Sequence, residues 1–117
     1  MNWKIEGINR LARRVHEYCR EHGFHEDLMP NPDYGEYLRE NRHKFFEMKG
    51  LLQDELAEVG QILREKQIDA GKLREEVTDV FLRSLDLAAA MAVDLEEEVE
   101  KKMCANVTRP WRHGGEF

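Results

Sequence analysis

Two pairs of carboxylates, each spaced three residues apart, are the residues in this sequence best suited to chemistry. They are Glu55 with Glu58, and Glu76 with Asp79. On an α-helix, residues three apart lie on one face with Cβ atoms roughly 5 to 6 Å apart. Each pair can therefore bind one hard cation from the same side. Ligation by oxygen atoms alone favours Mg²⁺, with Mn²⁺ as a substitute, over iron or zinc.

Both pairs interrupt the apolar stripes of their predicted helices. Glu55 occupies the heptad position between Leu52 and Val59, and Glu76 interrupts the next stripe three residues after Leu73. A single Glu-x-x-Glu pair is usually a solvated helix face. A carboxylate at a core-facing position, however, is costly to bury unless it is paired or bound to a metal. The two interruptions together predict an acidic site shared by two helices, whose carboxylates would raise one another's pKa values without a cation.

A di-iron site of the ferritin type is the obvious competitor. Such sites use Glu on two helices and Glu-x-x-His on two others. Here the residues three after Glu55 and Glu76 are Glu58 and Asp79, so the histidine ligands are missing. None of the five histidines has the spacing of a ligand motif. Four of them are expected to be surface residues: His16, His22, His25 and His43.

Four amphipathic helices are expected to position the acidic pairs, because apolar residues recur at spacings of three and four and no period-2 alternation indicates a sheet. The expected ranges are 5–22, 33 to about 66, 72 to about 92, and 94 to about 107. Gly23 would end the first helix, and capping boxes at Asp33 and Asp94 would begin the second and the fourth. A short connection at 67–71 makes the second and third helices an antiparallel hairpin in which the acidic pairs face each other.

Length and composition limit the possible classes of protein. At 117 residues the chain is expected to form one domain spanning residues 1–117. The net charge of -6 argues against general affinity for nucleic acid or for an anionic membrane. Cys19 and Cys104 lack a C-x-x-C spacing, no apolar run approaches about 18 residues, and the first residues lack the apolar core of a signal peptide. A cytoplasmic all-α protein is therefore expected.

The predicted fourth helix carries groups that could bind phosphate. Lys102 and Asn106 are four residues apart and share one face, and Arg109 follows three residues later. Beside an acidic metal site, a Lys, an amide and an Arg could together bind a phosphate chain. An ordinary basic helix end that complements the helix dipole is an equally good interpretation of the same residues.

The order of these motifs resembles that of the MazG-like nucleotide pyrophosphohydrolases, in the all-α NTP pyrophosphatase superfamily. The motifs are E-x-x-E, a spacer, E-E-x-x-D-V-F, then K-x-x-x-N-x-x-R and a tail R-P-W-R-H-G. The resemblance covers roughly Leu51 to the C-terminus, somewhat over half of the chain. Residues 1–32 carry no motif that can be assigned. One departure is Asp54, where the family's first motif often has a glutamate, a change that keeps the charge.

The resemblance implies a four-helix arrangement that assembles as a dimer or a dimer of dimers. It also implies Mg²⁺-dependent hydrolysis of (deoxy)nucleoside triphosphates to the monophosphate and pyrophosphate, as in house-cleaning of the nucleotide pool. The implied catalytic metal ligands are Glu55, Glu58, Glu76 and Asp79. The implied contacts to phosphate or sugar are Lys102, Asn106 and Arg109.

Two alternatives stay open at the level of sequence. A non-catalytic helical interaction protein could carry the acidic patch on its surface and bind a partner through its tail. Within the superfamily, a sister activity on dUTP, dCTP or phosphoribosyl-ATP would use the same acidic motifs. The motifs cannot separate these substrates, because the choice of base depends on a pocket that the sequence does not locate.

Overall fold

The computed structural model describes residues 4–107, and every regular element in that range is an α-helix. The helices are α1 (Ile8–Glu21), α2 (Tyr34–Glu40), α3 (Arg42–Arg64), α4 (Ala70–Ala90) and α5 (Leu95–Val107). The expected all-α class is confirmed. None of the described helices combines the length and the apolar character that crossing a membrane requires.

The helix expected at 33–66 is in fact two helices, α2 and α3, separated at Asn41. The Asn41 side chain is fully buried. Its amide nitrogen donates hydrogen bonds to the backbone carbonyls of Met29 and Tyr37, each at 2.9 Å. Its Oδ1 accepts a hydrogen bond from the Met29 N–H at 2.8 Å. By bonding backbone groups of the preceding loop and of α2, this side chain interrupts the helix and fixes the loop before α2.

Replacing Asn41 with Ala is expected to lower the free energy of unfolding by about 3 kcal/mol, because three part-buried hydrogen bonds, two to Met29 and one to Tyr37, would be lost. Urea unfolding followed by circular dichroism measures this change. Asn31→Ala is the matched control, since Asn31 lies in the same loop but makes only exposed hydrogen bonds to Glu40 and Asp33. If Asn41→Ala lowers the free energy of unfolding no more than Asn31→Ala does, the stabilising role of the Asn41 hydrogen bonds is contradicted.

The central helix is α4, with α3 packed on one side of it and α1 on another. The start of α3 meets the end of α4, where Phe45, Met48 and Ala90 form a buried cluster. Tyr37 on α2 closes this end by donating its hydroxyl to the Ala90 carbonyl at 2.5 Å. This contact pattern and the short connection make α3 and α4 an antiparallel hairpin, as the sequence predicts.

Helix α1 ends just before Gly23, as the sequence predicts. Gly23 has a φ of 72°, in the left-handed region that glycine adopts without strain. The Phe24 N–H bonds the Cys19 carbonyl at 3.0 Å, and the Gly23 N–H bonds the Arg20 carbonyl at 3.2 Å. These two bonds define a Schellman ending. It turns the chain so that Phe24 lies against α1 with its ring 6.5 Å from that of Tyr18.

Aspartates begin three of the helices. The side chains of Asp33, Asp69 and Asp94 each accept a hydrogen bond from the backbone N–H three residues on, at 3.0 to 3.1 Å. The caps at Asp33 and Asp94 are as predicted, whereas the cap at Asp69 starts α4 two residues earlier than expected. Asn9 then joins α1 to α5, because its amide donates to Asp94 and its Oδ1 accepts from the Leu95 N–H, both at 2.8 Å.

Candidate metal centre between α3 and α4

Packing of α3 on α4 brings the predicted carboxylates together. Oxygen atoms of Glu55, Glu76 and Asp79 all lie within 4.8 Å of one another. Glu58 follows Glu55 by one helical turn, and its carboxyl interacts with that of Glu76 closely enough to raise its pKa. We call these four residues the acidic cluster. Its members come from two helices, with one pair on each.

The acidic cluster contains buried oxygen atoms that the protein leaves without partners. The Oε2 atoms of Glu55 and Glu76 are both buried and make no hydrogen bond. Among residues 4–107, Arg83 forms an ion pair with the acidic cluster: its Nε lies 3.9 Å from Glu55 Oε1. One distant arginine cannot balance four carboxylates, and a buried carboxylate oxygen without a partner is costly. Divalent cations that prefer oxygen ligands fit this arrangement of donors and this excess of negative charge.

The pKa of the Glu58 carboxyl reflects the negative charge of the acidic cluster. Interaction with the Glu76 carboxyl, through hydrogen bonding and charge, holds the pKa of the Glu58 carboxyl above its usual value of 4.5, with smaller contributions from burial, Asp79 and Asp54. A raised pKa means that the folded chain keeps a proton that the unfolded chain releases. The contribution of Glu58 to stability is therefore full below pH 4.5 and is lost as the pH rises through its raised pKa.

The expected result is that the melting temperature of metal-free protein falls as the pH is raised above 4.5, to a greater extent than in Glu58→Gln. Scanning calorimetry in buffer with a chelator, at a series of pH values, measures this difference. Glu47→Gln, at an exposed position earlier on α3, is the control for removing one negative charge. Parallel pH profiles for wild type and Glu58→Gln would contradict the clustering of charge.

A cavity of about 580 Å³ opens beside the acidic cluster and shares Glu55 and Asp79 with it. Its other walls come from α1, from α4 and from the segment after α1, with these residues: Leu11, Arg14, Val15, Tyr18, Cys19, Phe24, Leu82 and Arg83. The guanidinium of Arg83 lies 4.8 Å from the centre of the Phe24 ring. Arg83 thus links the aromatic wall of the cavity to Glu55. The cavity is large enough for a small organic ligand.

The predicted phosphate-binding residues are not joined to the acidic cluster. Lys102 and Asn106 lie on α5, which packs on α1, and no contact within residues 4–107 connects either side chain to the four carboxylates. Asn106 Oδ1 is buried without a hydrogen-bond partner among the described residues. Arg109 lies outside the described residues.

Sequence reasoning missed a second cluster of polar side chains. His16 and His25 were expected at the surface, but this is wrong: their side chains are 20% and 1% exposed and both contact the buried Asp86. A signal was present in the sequence, since Asp86 stands between Leu85 and Leu87 in the apolar second half of α4. A carboxylate in such a stretch requires polar partners.

The two cysteines differ in environment. Cys19 is buried, and burial together with the charge of Asp86 raises the pKa of its thiol to about 11. It is therefore a protonated thiol at neutral pH, as expected for a residue of the core. Unpaired cysteines usually fill the core, so burial is predicted from the sequence for both Cys19 and Cys104, but Cys104 is exposed.

Comparison with known proteins identifies no relative of this chain. No protein-family model matches it, and no curated protein or solved structure is significantly similar to it. The interpretation of the site therefore depends on its geometry and on the motifs of the sequence.

Proposed function

We propose that this protein is a Mg²⁺-dependent nucleoside triphosphate pyrophosphohydrolase of the MazG-like type. The observation that supports this most is the convergence of Glu55 from α3 with Glu76 and Asp79 from α4, with buried Oε2 atoms of Glu55 and Glu76 that have no partner. In this interpretation α1, the α2–α3 pair, α4 and α5 correspond to the four helices of that superfamily. A cytoplasmic location would follow from a substrate in the nucleotide pool.

In the proposed site, Glu55, Glu58, Glu76 and Asp79 hold the metal through carboxylate oxygens. Bound Mg²⁺ would screen the phosphate chain and lower the pKa of a bound water. One of the glutamates accepts the proton that the attacking water loses.

The leaving pyrophosphate also needs positive charge. The resemblance assigns this role to Lys102 and Arg109, and a contact with a phosphate or sugar oxygen to Asn106. Because Lys102 and Asn106 lie on α5, away from the acidic cluster of their own chain, this role requires that a second copy of the chain bring them to the phosphates. Lys102→Gln is then expected to weaken substrate binding more than it slows the chemical step.

The cavity beside the acidic cluster offers a place for the nucleoside. A triphosphate with its phosphates at Glu55 and Asp79 would direct its base towards Tyr18 and Phe24, whose rings can stack on a planar base. The same cavity would accept the base of dUTP, dCTP or phosphoribosyl-ATP. Measured rates with each nucleotide are therefore needed to identify the substrate.

We also propose that a second copy of the chain covers the outer faces of α3 and α4. Several large apolar side chains on these two helices are exposed: Leu56, Leu63, Val77 and Phe81. An apolar surface shared by two neighbouring helices is typical of an interface rather than of a free surface. Leu63→Glu is expected to shift the protein from dimer or tetramer to monomer in sedimentation, whereas Gln61→Glu on an exposed position of α3 leaves the mass unchanged. A monomeric wild type, or equal masses for both variants, would exclude this assembly.

The direct test of function is product analysis. Purified protein is incubated with a panel of dNTPs and NTPs, with and without Mg²⁺, and monophosphate, diphosphate, pyrophosphate and phosphate are resolved. Monophosphate with pyrophosphate, formed only with metal, is the expected result, and the ranking of substrates gives the base preference. If no nucleotide is cleaved, a non-catalytic helical interaction protein becomes the better explanation of the acidic cluster.

A further inference from the structure

A second group of potential metal ligands lies away from the acidic cluster and shares no residue with it. One ring nitrogen of His16, one of His25 and a carboxylate oxygen of Asp86 all lie within 4.8 Å of one another. His16 comes from α1, His25 from the segment after α1, and Asp86 from α4. The side chains of His25 and Asp86 are almost wholly buried, at 1% and 3% exposed.

The contacts of His25 suit a cation bound in this group. Its Nδ1 lies 3.2 Å from the Glu26 carbonyl, which can only accept, so the tautomer with the proton on Nδ1 forms a hydrogen bond there. In neutral His25 the other nitrogen, Nε2, then presents a lone pair to Asp86 Oδ1 at 3.3 Å. Two acceptors face each other there unless a proton or a metal ion lies between them. A histidine that binds metal through one ring nitrogen commonly donates from the other to a backbone carbonyl, as His25 does.

The distances suit a small transition-metal ion. Tetrahedral zinc with bonds of about 2.0 to 2.2 Å separates its ligand atoms by about 3.3 Å. The contact between His25 Nε2 and Asp86 Oδ1 already has this length, at 3.3 Å. The contact between His16 Nδ1 and Asp86 Oδ1 is a hydrogen bond of 2.7 Å and would have to lengthen. His16 is the partly exposed member of the group, so it is the ligand best able to move.

We propose that His16, His25 and Asp86 form a binding site for a divalent transition-metal ion such as Zn²⁺. Two imidazoles and one carboxylate prefer zinc, cobalt or nickel to magnesium, so this site and the acidic cluster select different ions. By binding His25 together with His16 of α1 and Asp86 of α4, the ion would link the segment that contains Phe24 and His25 to both helices. Since Phe24 lines the cavity, zinc would thereby hold one wall of that cavity in place.

The test is metal binding by the full chain, freed of metal with a chelator and carrying no histidine tag. Zinc retention is measured by equilibrium dialysis in excess Mg²⁺, which occupies the acidic cluster. Co²⁺, which absorbs visible light when bound by nitrogen ligands, is the second probe. The expected result is one zinc ion per chain and a Co²⁺ spectrum of a site with nitrogen ligands.

Matched variants assign the ligands. His16→Gln and His25→Gln are expected to weaken zinc binding by more than about 10-fold, since loss of an outer-shell partner alone costs that much. His43→Gln, at an exposed histidine of α3, should bind like wild type, and circular dichroism of the metal-free variants checks folding. Glu76→Gln should also keep its zinc, which separates this site from the proposed catalytic one. Absence of zinc in wild type, or equal retention in His16→Gln and His43→Gln, would overturn the assignment and leave a proton between His25 and Asp86.

Discussion

Replacing Glu76 with Gln is expected to lower the rate of nucleotide hydrolysis by at least about 100-fold, because losing even an outer-shell partner of a metal ligand costs 10- to 100-fold. The same change should raise the stability of the metal-free protein by on the order of 1 kcal/mol, since it removes one of the negative charges that repel one another in the acidic cluster. Loss of activity together with a gain in stability is typical of a site strained for function. Steady-state kinetics and urea unfolding in a chelator measure the two effects.

Glu75→Gln is the control for this prediction. Glu75 is the preceding residue of α4 and is exposed, so its replacement removes the same charge without touching the acidic cluster. It should leave both the rate and the stability close to those of wild type. Turnover of Glu76→Gln near the wild-type rate would show that the acidic cluster does not carry the chemistry.

Addition of Mg²⁺ is expected to stabilise the folded chain. An ion that binds only the folded state adds about 2.7 kcal/mol at 100 times its Kd, which corresponds to roughly 10 °C in the melting temperature of a domain of this size. The physical reason is relief of repulsion among four carboxylates, two of which have buried oxygens without partners. Thermal unfolding at a series of Mg²⁺ concentrations measures the shift.

Two controls show whether this stabilisation comes from the acidic cluster. The double variant Glu55→Gln with Glu76→Gln should lose most of the Mg²⁺ dependence, whereas Glu75→Gln should retain it. Potassium chloride at matched ionic strength tests for simple screening of the net charge. A melting temperature independent of Mg²⁺ would contradict metal binding and would favour the interaction protein.

The helices that carry the acidic cluster could be predicted because their signals are local. Residues three apart share a helix face whatever the rest of the chain does, so each carboxylate pair is set by the sequence. The interruption of two apolar stripes added the expectation that the pairs meet. In the structure, oxygens of Glu55, Glu76 and Asp79 do lie within 4.8 Å of one another.

The break at Asn41 shows what local signals leave out. Asn41 bonds both backbone groups of Met29, twelve residues earlier, as well as the Tyr37 carbonyl, and these part-buried bonds accompany the break in the helix. Nothing in the periodicity of residues 33–66 indicates which side chain will find such partners. The start of α4 at Asp69 differs, since its capping signal is local and could have been recognised.

The sequence by itself determined the all-α class, the ending of α1 at Gly23 and the two carboxylate pairs, because each depends on residues within one or two helical turns. Only the tertiary structure decided that His16 and His25 meet Asp86, which lies 70 and 61 residues further along the chain. It also decided that Arg83 pairs with Glu55 and that a cavity adjoins the acidic cluster. The physical reason is that burial and charge pairing depend on which helices pack together, and α4 selects its neighbours through contacts distributed along its whole length.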